Sequence, residues 1–174
     1  LVFCTNFAEN KTMSQVHIHL LITHLPVFGS VLGALVLIYA LFSRSVPTKN
    51  AAYLLFVVSA IGAAIAYATG EGAEEAVEKM PGVAEQAIEQ HEDAAMASLI
   101  ALIMLGAFAV VAMFLNLRKT SFSRQIAIGM LLVSFAGFGL VARTASLGGK
   151  IRHTELGTGA ALQPVEQGGE EDDD

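Results

Sequence analysis

Five histidines stand at three separated places along this 174-residue chain. His17, His19 and His24 open the first long apolar run, His91 precedes the third, and His153 follows the fourth. If the runs cross a membrane as an antiparallel bundle, the three places meet at one level. Imidazole exchanges protons near neutrality and ligates metals through either ring nitrogen. Two chemistries suit such a gathering. Paired histidines hold the iron of a b-type haem as axial ligands, with the small residues Ala94, Ala95, Ala97 and Ser98 leaving room for the porphyrin. Alternatively, histidines and carboxylates hold a non-haem transition metal, with zinc, copper or iron as the candidates.

Carboxylates lie close to these histidines in sequence. Glu71, Glu75 and Glu78 share a helix face, as do Glu85, Glu89 and Glu92, and Glu92 and Asp93 adjoin His91. Glu71, Glu75 and Glu92 are nearest the apolar runs and are the candidates; the others read as a solvated face. Arg143 lies about one turn inside the end of the fourth run. It is placed to snorkel, to pair with an acid, or to clamp an anionic group such as a haem propionate. The haem set is therefore His24, His91 and Arg143. The metal set is His19, His24, His91, His153, Glu71, Glu75 and Glu92.

Helix geometry ranks the first three histidines. His24 lies about 7–8 Å deeper than His19 and about 140° round the helix from it, whereas His17 and His24 share a face. An ionisable group at that depth is expected to face the bundle interior and to have a function. The competing structural explanation is simple: His17 and His19 as interfacial residues, His24 as a core histidine bonded to a carbonyl, His153 in a Gly-rich loop. No pair has a metal spacing such as H-E-x-x-H.

The elements that must position these groups follow from composition. The chain is 54% hydrophobic and 15% charged, against about 25% charge in soluble domains. Four runs are long enough to span a bilayer, which needs roughly 20 apolar residues: His17 to Phe42, Ala51 to Gly70, Ala94 to Leu117 and Ile126 to Leu147. Lipid supplies no hydrogen-bond partners, so each must be helical. The expected fold is all-α, an integral membrane antiparallel four-helix bundle. Small residues at Gly29, Ser30, Gly33, Gly62, Ala63, Ala64, Ala136, Gly137 and Gly139 are expected to let the helices approach closely. The domain plan is a leader over 1–16, the four-helix domain over 17–156 and a disordered acidic tail over 157–174. Met13 is a candidate natural start, which would leave 1–12 outside the native protein. Cys4 is a minor lipidation candidate, and a single cysteine excludes a disulfide within one chain.

Charge sets an expected orientation. The two short connectors carry Arg44, Lys49, Arg118, Lys119 and Arg124 and no acids. The positive-inside rule places them in the cytoplasm. Both termini and the acidic middle connector, broken at Pro81-Gly82, then face the periplasm of a bacterial inner membrane. The net charge of −6 argues against nucleic acid as a partner. The lipid bilayer is the expected environment, and membrane or periplasmic redox proteins are the expected partners.

The stretch from His19 through Thr23-His24-Leu25-Pro26 resembles the H-P-x-x-x-H-F-P opening of a widespread bacterial family of four-helix membrane proteins classed as a domain of unknown function. His19, His24 and Pro26 match; Leu20 replaces the first proline and Leu25 the phenylalanine. His91 is similar to the family's third-span histidine, and Gly148-Gly149 with His153 to its closing Gly-Gly…His. The similarity runs over most of 17–159. The resemblance implies no settled activity; association of some members with cytochrome c-type domains points to redox work. Two rivals stand beside a redox or metal protein: a structural subunit of a larger complex, and a small proton-linked transporter using His24, Glu71 and Arg143. A nucleophilic enzyme is the least expected, since no Ser-His-Asp order is visible. Electron transfer or metal binding is expected ahead of stand-alone catalysis.

Overall fold

The computed structural model describes residues 15–78, 83–118 and 120–152. Helix α1 is Gln15–Ser43. It is followed by α2 (Val46–Ala68), the short α3 (Gly70–Glu78), α4 (Glu85–Leu117) and α5 (Ser123–Arg152). The four long helices are long and apolar enough to cross a membrane. The leader expected over 1–16 and the tail over 157–174 lie largely or wholly outside the described residues, as does the break at Pro81-Gly82, which α3 and α4 flank.

The helices begin and end where backbone chemistry permits. Pro26 has no N–H to donate to residue 22, and the helical pattern of α1 loosens into a turn at Thr23 just before it. The α1–α2 connection is tighter than the sequence suggests. Arg44 takes a left-handed conformation with φ 54°. Ser45 caps α2 by accepting a hydrogen bond from Thr48 N at 3.3 Å, and Pro47 occupies the first turn, where its missing N–H costs nothing. The second helix thus starts five residues ahead of the expected Ala51, and Lys49 belongs to a helix rather than a loop.

Long-range hydrogen bonds fix the topology. His19, near the start of α1, reaches Ala66 near the end of α2. His91, near the start of α4, reaches Thr144 near the end of α5. Both hairpins are therefore antiparallel. The helices form a ring in the order α1, α2, α4, α5, each packed on the next, with α5 closing on α1. One end of the ring carries the histidines; the other carries the basic connectors.

In a bilayer, apolar contact alone does not hold helices together, so close backbone approach must. A Cβ at Gly33 would lie 2.5 Å from the ring of the fully buried Phe56, and one at Gly62 would lie 2.7 Å from Leu25 Cβ. Glycine therefore sets the α1–α2 spacing. Gly106 does the same between α2 and α4, where a Cβ would lie 2.6 Å from Ala60 Cβ. In the small cluster of α5, Gly137 is buried, with a Cβ there 3.6 Å from Leu102 Cδ2, whereas Gly139 meets nothing within 4 Å and Ala136 is exposed. Leu37, Tyr53, Phe56, Leu102 and Leu105 fill the centre. Phe42, Leu117 and Leu132 point outward, the surface a bilayer would cover.

At the basic end a polar chain ties three helices. Lys49 Nζ donates to Ser123 Oγ at 2.7 Å, Ser123 Oγ donates to Asn116 Oδ1 at 2.6 Å, and Asn116 Nδ2 donates to Asn50 Oδ1 at 2.8 Å. Lys49 and Asn116 are buried, so these bonds satisfy groups that would otherwise carry a full desolvation cost.

Candidate functional site

Two histidines are held by the same device, one in each hairpin. His19 Nδ1 lies 2.8 Å from the carbonyl of Ala66, and His91 Nδ1 lies 3.0 Å from the carbonyl of Thr144. A carbonyl only accepts, so Nδ1 carries the proton in each ring and Nε2 keeps its lone pair. In both hairpins the residue four positions beyond the accepting carbonyl is a glycine, and in the second the His91 ring takes the space a side chain would need. A Cβ at Gly70 would stand 3.9 Å from His19 Cε1, and one at Gly148 would stand 2.9 Å from His91 Cε1. Both rings stand at the same end of the bundle, one anchored in each hairpin. Imidazoles oriented by an Nδ1–H bond to a carbonyl, with Nε2 available, are prepared as ligands or proton acceptors.

Local bonds support each partner helix. Thr69 Oγ1 donates to the carbonyls of Ile65 and Ala66 and lies 3.4 Å from His19 Nδ1. Thr144 Oγ1 donates to Leu140 O at 3.1 Å and pairs with Ser98 Oγ at 2.8 Å. Of the small residues after His91, Ala94 and Ser98 are buried, while Ala97 is exposed.

The remaining expected residues do not join this pair. His24 is exposed: its ring stacks on Phe28 at 6.3 Å, and its Nδ1 bonds Leu20 of its own helix at 3.0 Å. The angle of about 140° between positions 19 and 24 explains this, since a helix that turns His19 inward turns His24 away. His17, on the face of His24, is also exposed. Arg143 is exposed, pairs with no acid among the described residues, and fits the snorkelling role. Glu71 and Glu75 are exposed. His153 lies outside the described residues. Among those described, no three His, Cys, Asp or Glu side chains gather as a metal-binding group.

The acid that meets the site is one that spacing did not single out. Glu74 of α3 shares a hydrogen bond with Glu92 of α4, the residue after His91. That bond, with burial and the charges of Glu92, Glu78 and Glu71, pushes the Glu74 carboxyl up to about 7. Two carboxyls at hydrogen-bond distance hold one proton between them.

A family model described as a predicted membrane protein, DUF2231, matches residues 15–159. The chain belongs to the DUF2231 family. No curated protein and no solved structure matches it. The match spans both hairpins and every described residue of the histidine end. Within this DUF2231 domain, the Gly148-Gly149 pair has a concrete use: Gly148 makes room for the His91 ring. Pro26, in the stretch that drew the resemblance, packs its ring against Gly62.

The Glu74–Glu92 contact makes this end of the DUF2231 domain sensitive to pH. A carboxyl raised to about 7 from an ordinary 4.5 binds its proton more tightly folded than unfolded. Its contribution is fully present below about pH 4.5 and is lost as the pH rises through about 7. Hydrogen exchange of the α3 amides in detergent should therefore be slower at pH 5 than at pH 8. In Glu74→Gln that difference should shrink to the intrinsic chemical dependence. An unchanged difference would mean that another group controls it.

Proposed function

We propose that the protein is a membrane redox protein that holds a metal centre through His19 and His91. The observation that carries this is the doubled arrangement of an Nδ1 anchored to the carbonyl of the neighbouring helix with Nε2 left available. A b-type haem is the centre that fits this ligand count best. Its iron needs at most two protein ligands, whereas a zinc site draws three or four from the chain. Bound haem would supply one-electron transfer. The chain's own contribution is orientation: the carbonyls of Ala66 and Thr144 fix the tautomer and direction of each ring and raise the basicity of Nε2. The hydroxyl pair of Ser98 and Thr144 braces the second helix of that hairpin.

The charge pattern supports an orientation with the basic connectors in the cytoplasm. The histidine end then faces the periplasm of a bacterial inner membrane, where membrane or periplasmic redox proteins would exchange electrons with it. A proton-linked transporter is disfavoured by a sequence observation. Between His24 and Arg44, Lys49 and Glu71, Asp93 and Arg118, and Arg124 and Arg143 there is no Asp, Glu, His, Lys or Arg. No charged relay crosses the four helices.

The test is an optical spectrum with elemental analysis on protein purified from its native membrane, as isolated and after reduction. A reduced-minus-oxidised haem band with stoichiometric iron is the expected result. Stoichiometric zinc or copper without that band would move the proposal to a non-haem centre. Neither signal would remove it and leave the structural-subunit reading.

A further inference from the structure

We infer that the α1–α5 seam at the basic end holds one phospholipid with an anionic headgroup. This seam is the loosest of the four in the ring. It leaves an open groove of about 320 Å³ lined by Ile38, Leu41, Phe42, Ile128 and Leu131, with Arg124 as its one charged residue. Its walls suit an acyl chain and nothing polar. Its charged residue suits a phosphate, which a guanidinium can bind through two parallel N–H bonds.

Charge complementarity identifies the occupant. Arg124 is exposed and has no protein partner among the described residues. The chain cannot supply one from its spans and short connectors: no Asp or Glu occurs in 10–70 or 94–154. Behind Arg124, the buried Lys49 bonds Ser123, so a second cation lies within the bundle without a carboxylate to neutralise it. Ser123 is also the first residue of the 30-residue α5, whose N-terminus carries the positive end of the helix dipole. The net negative charge of an anionic headgroup, which the choline cation would cancel in phosphatidylcholine, offsets these cations while the acyl chain fills the groove. The site lies at the opposite end from the histidines and is independent of the proposed function.

Native mass spectrometry of the full chain, exchanged into micelles containing phosphatidylglycerol or phosphatidylcholine with the same acyl chains, tests this. One phosphatidylglycerol per chain should be retained, with phosphatidylcholine held roughly five-fold less, the effect expected of one surface cation. Arg124→Gln should abolish the preference, and Ile128→Trp, which fills the groove, should lower retention of both lipids. Both positions are exposed, and circular dichroism verifies that the variants fold. Soluble glycerol phosphate, which has the anion without the chain, should fail to displace the lipid. Equal retention of the two lipids by the wild type, a preference surviving in Arg124→Gln, retention unaffected in Ile128→Trp, or displacement by glycerol phosphate would each overturn the assignment.

Discussion

His19→Ala and His91→Ala should each abolish the haem or metal signal, whereas His24→Ala should leave it intact. The contrast is large because it separates the two proposed ligands from a residue on the other side of the first helix. His19 and His91 are anchored to neighbouring helices; His24 is bonded only within its own and stacks on Phe28. Removing one of two proposed ligands would remove the centre, while disturbing what orients a ligand typically weakens binding about 10–100-fold. Gly148→Ala belongs to the second kind, because its new methyl would stand 2.9 Å from His91 Cε1 and push the ring aside. Spectra and metal content of the purified variants, taken with their unfolding temperatures, separate the possibilities. If His19→Ala and His91→Ala lowered stability but kept the full signal, the two residues would be packing groups and the centre would lie elsewhere.

Gly106→Ala and Gly139→Ala should change thermal stability in opposite directions. Both replace a helical glycine, and alanine gains about 1 kcal/mol of helix propensity at either position. At Gly139 the methyl enters open space, so the gain should remain and the unfolding midpoint should rise. At Gly106 it would stand 2.6 Å from Ala60 Cβ. A Cβ cannot rotate away, so α2 and α4 must move apart. Overpacking of this kind costs about 1–3 kcal/mol, which should lower the midpoint by up to roughly 10 °C for a chain of this size. Equal shifts in the two variants would show that the α2–α4 seam is more compliant than its geometry indicates.

The four helices were legible because hydropathy over 20 residues is a coarse signal that lipid makes decisive. Their ends were less so. Val46 to Asn50 includes Pro47, Lys49 and Asn50, which reads as a loop until Ser45 is seen to cap it. Lys49 was for the same reason assigned to a connector, although it is buried among Ser123, Asn116 and Asn50. The convergence of histidines from separate hairpins was legible in their order, but the choice among them was not. Depth favoured His24; direction favours His19, and direction depends on which face α2 covers. The Glu74–Glu92 pair was missed because helix spacing groups acids on one helix, while this pair forms between two. Its nearest signal was Gly72, a buried residue showing that α3 turns one side toward the bundle.

The repeated histidine device has a consequence for how the polypeptide is organised. Each hairpin contributes one imidazole near its start and the carbonyl that accepts from it near its end. The chain thus places one anchored imidazole in each hairpin, with the segment between α2 and α4 joining the two. A cut between the hairpins would divide the polypeptide, yet each imidazole would keep the carbonyl that orients it, because ring and carbonyl belong to one hairpin.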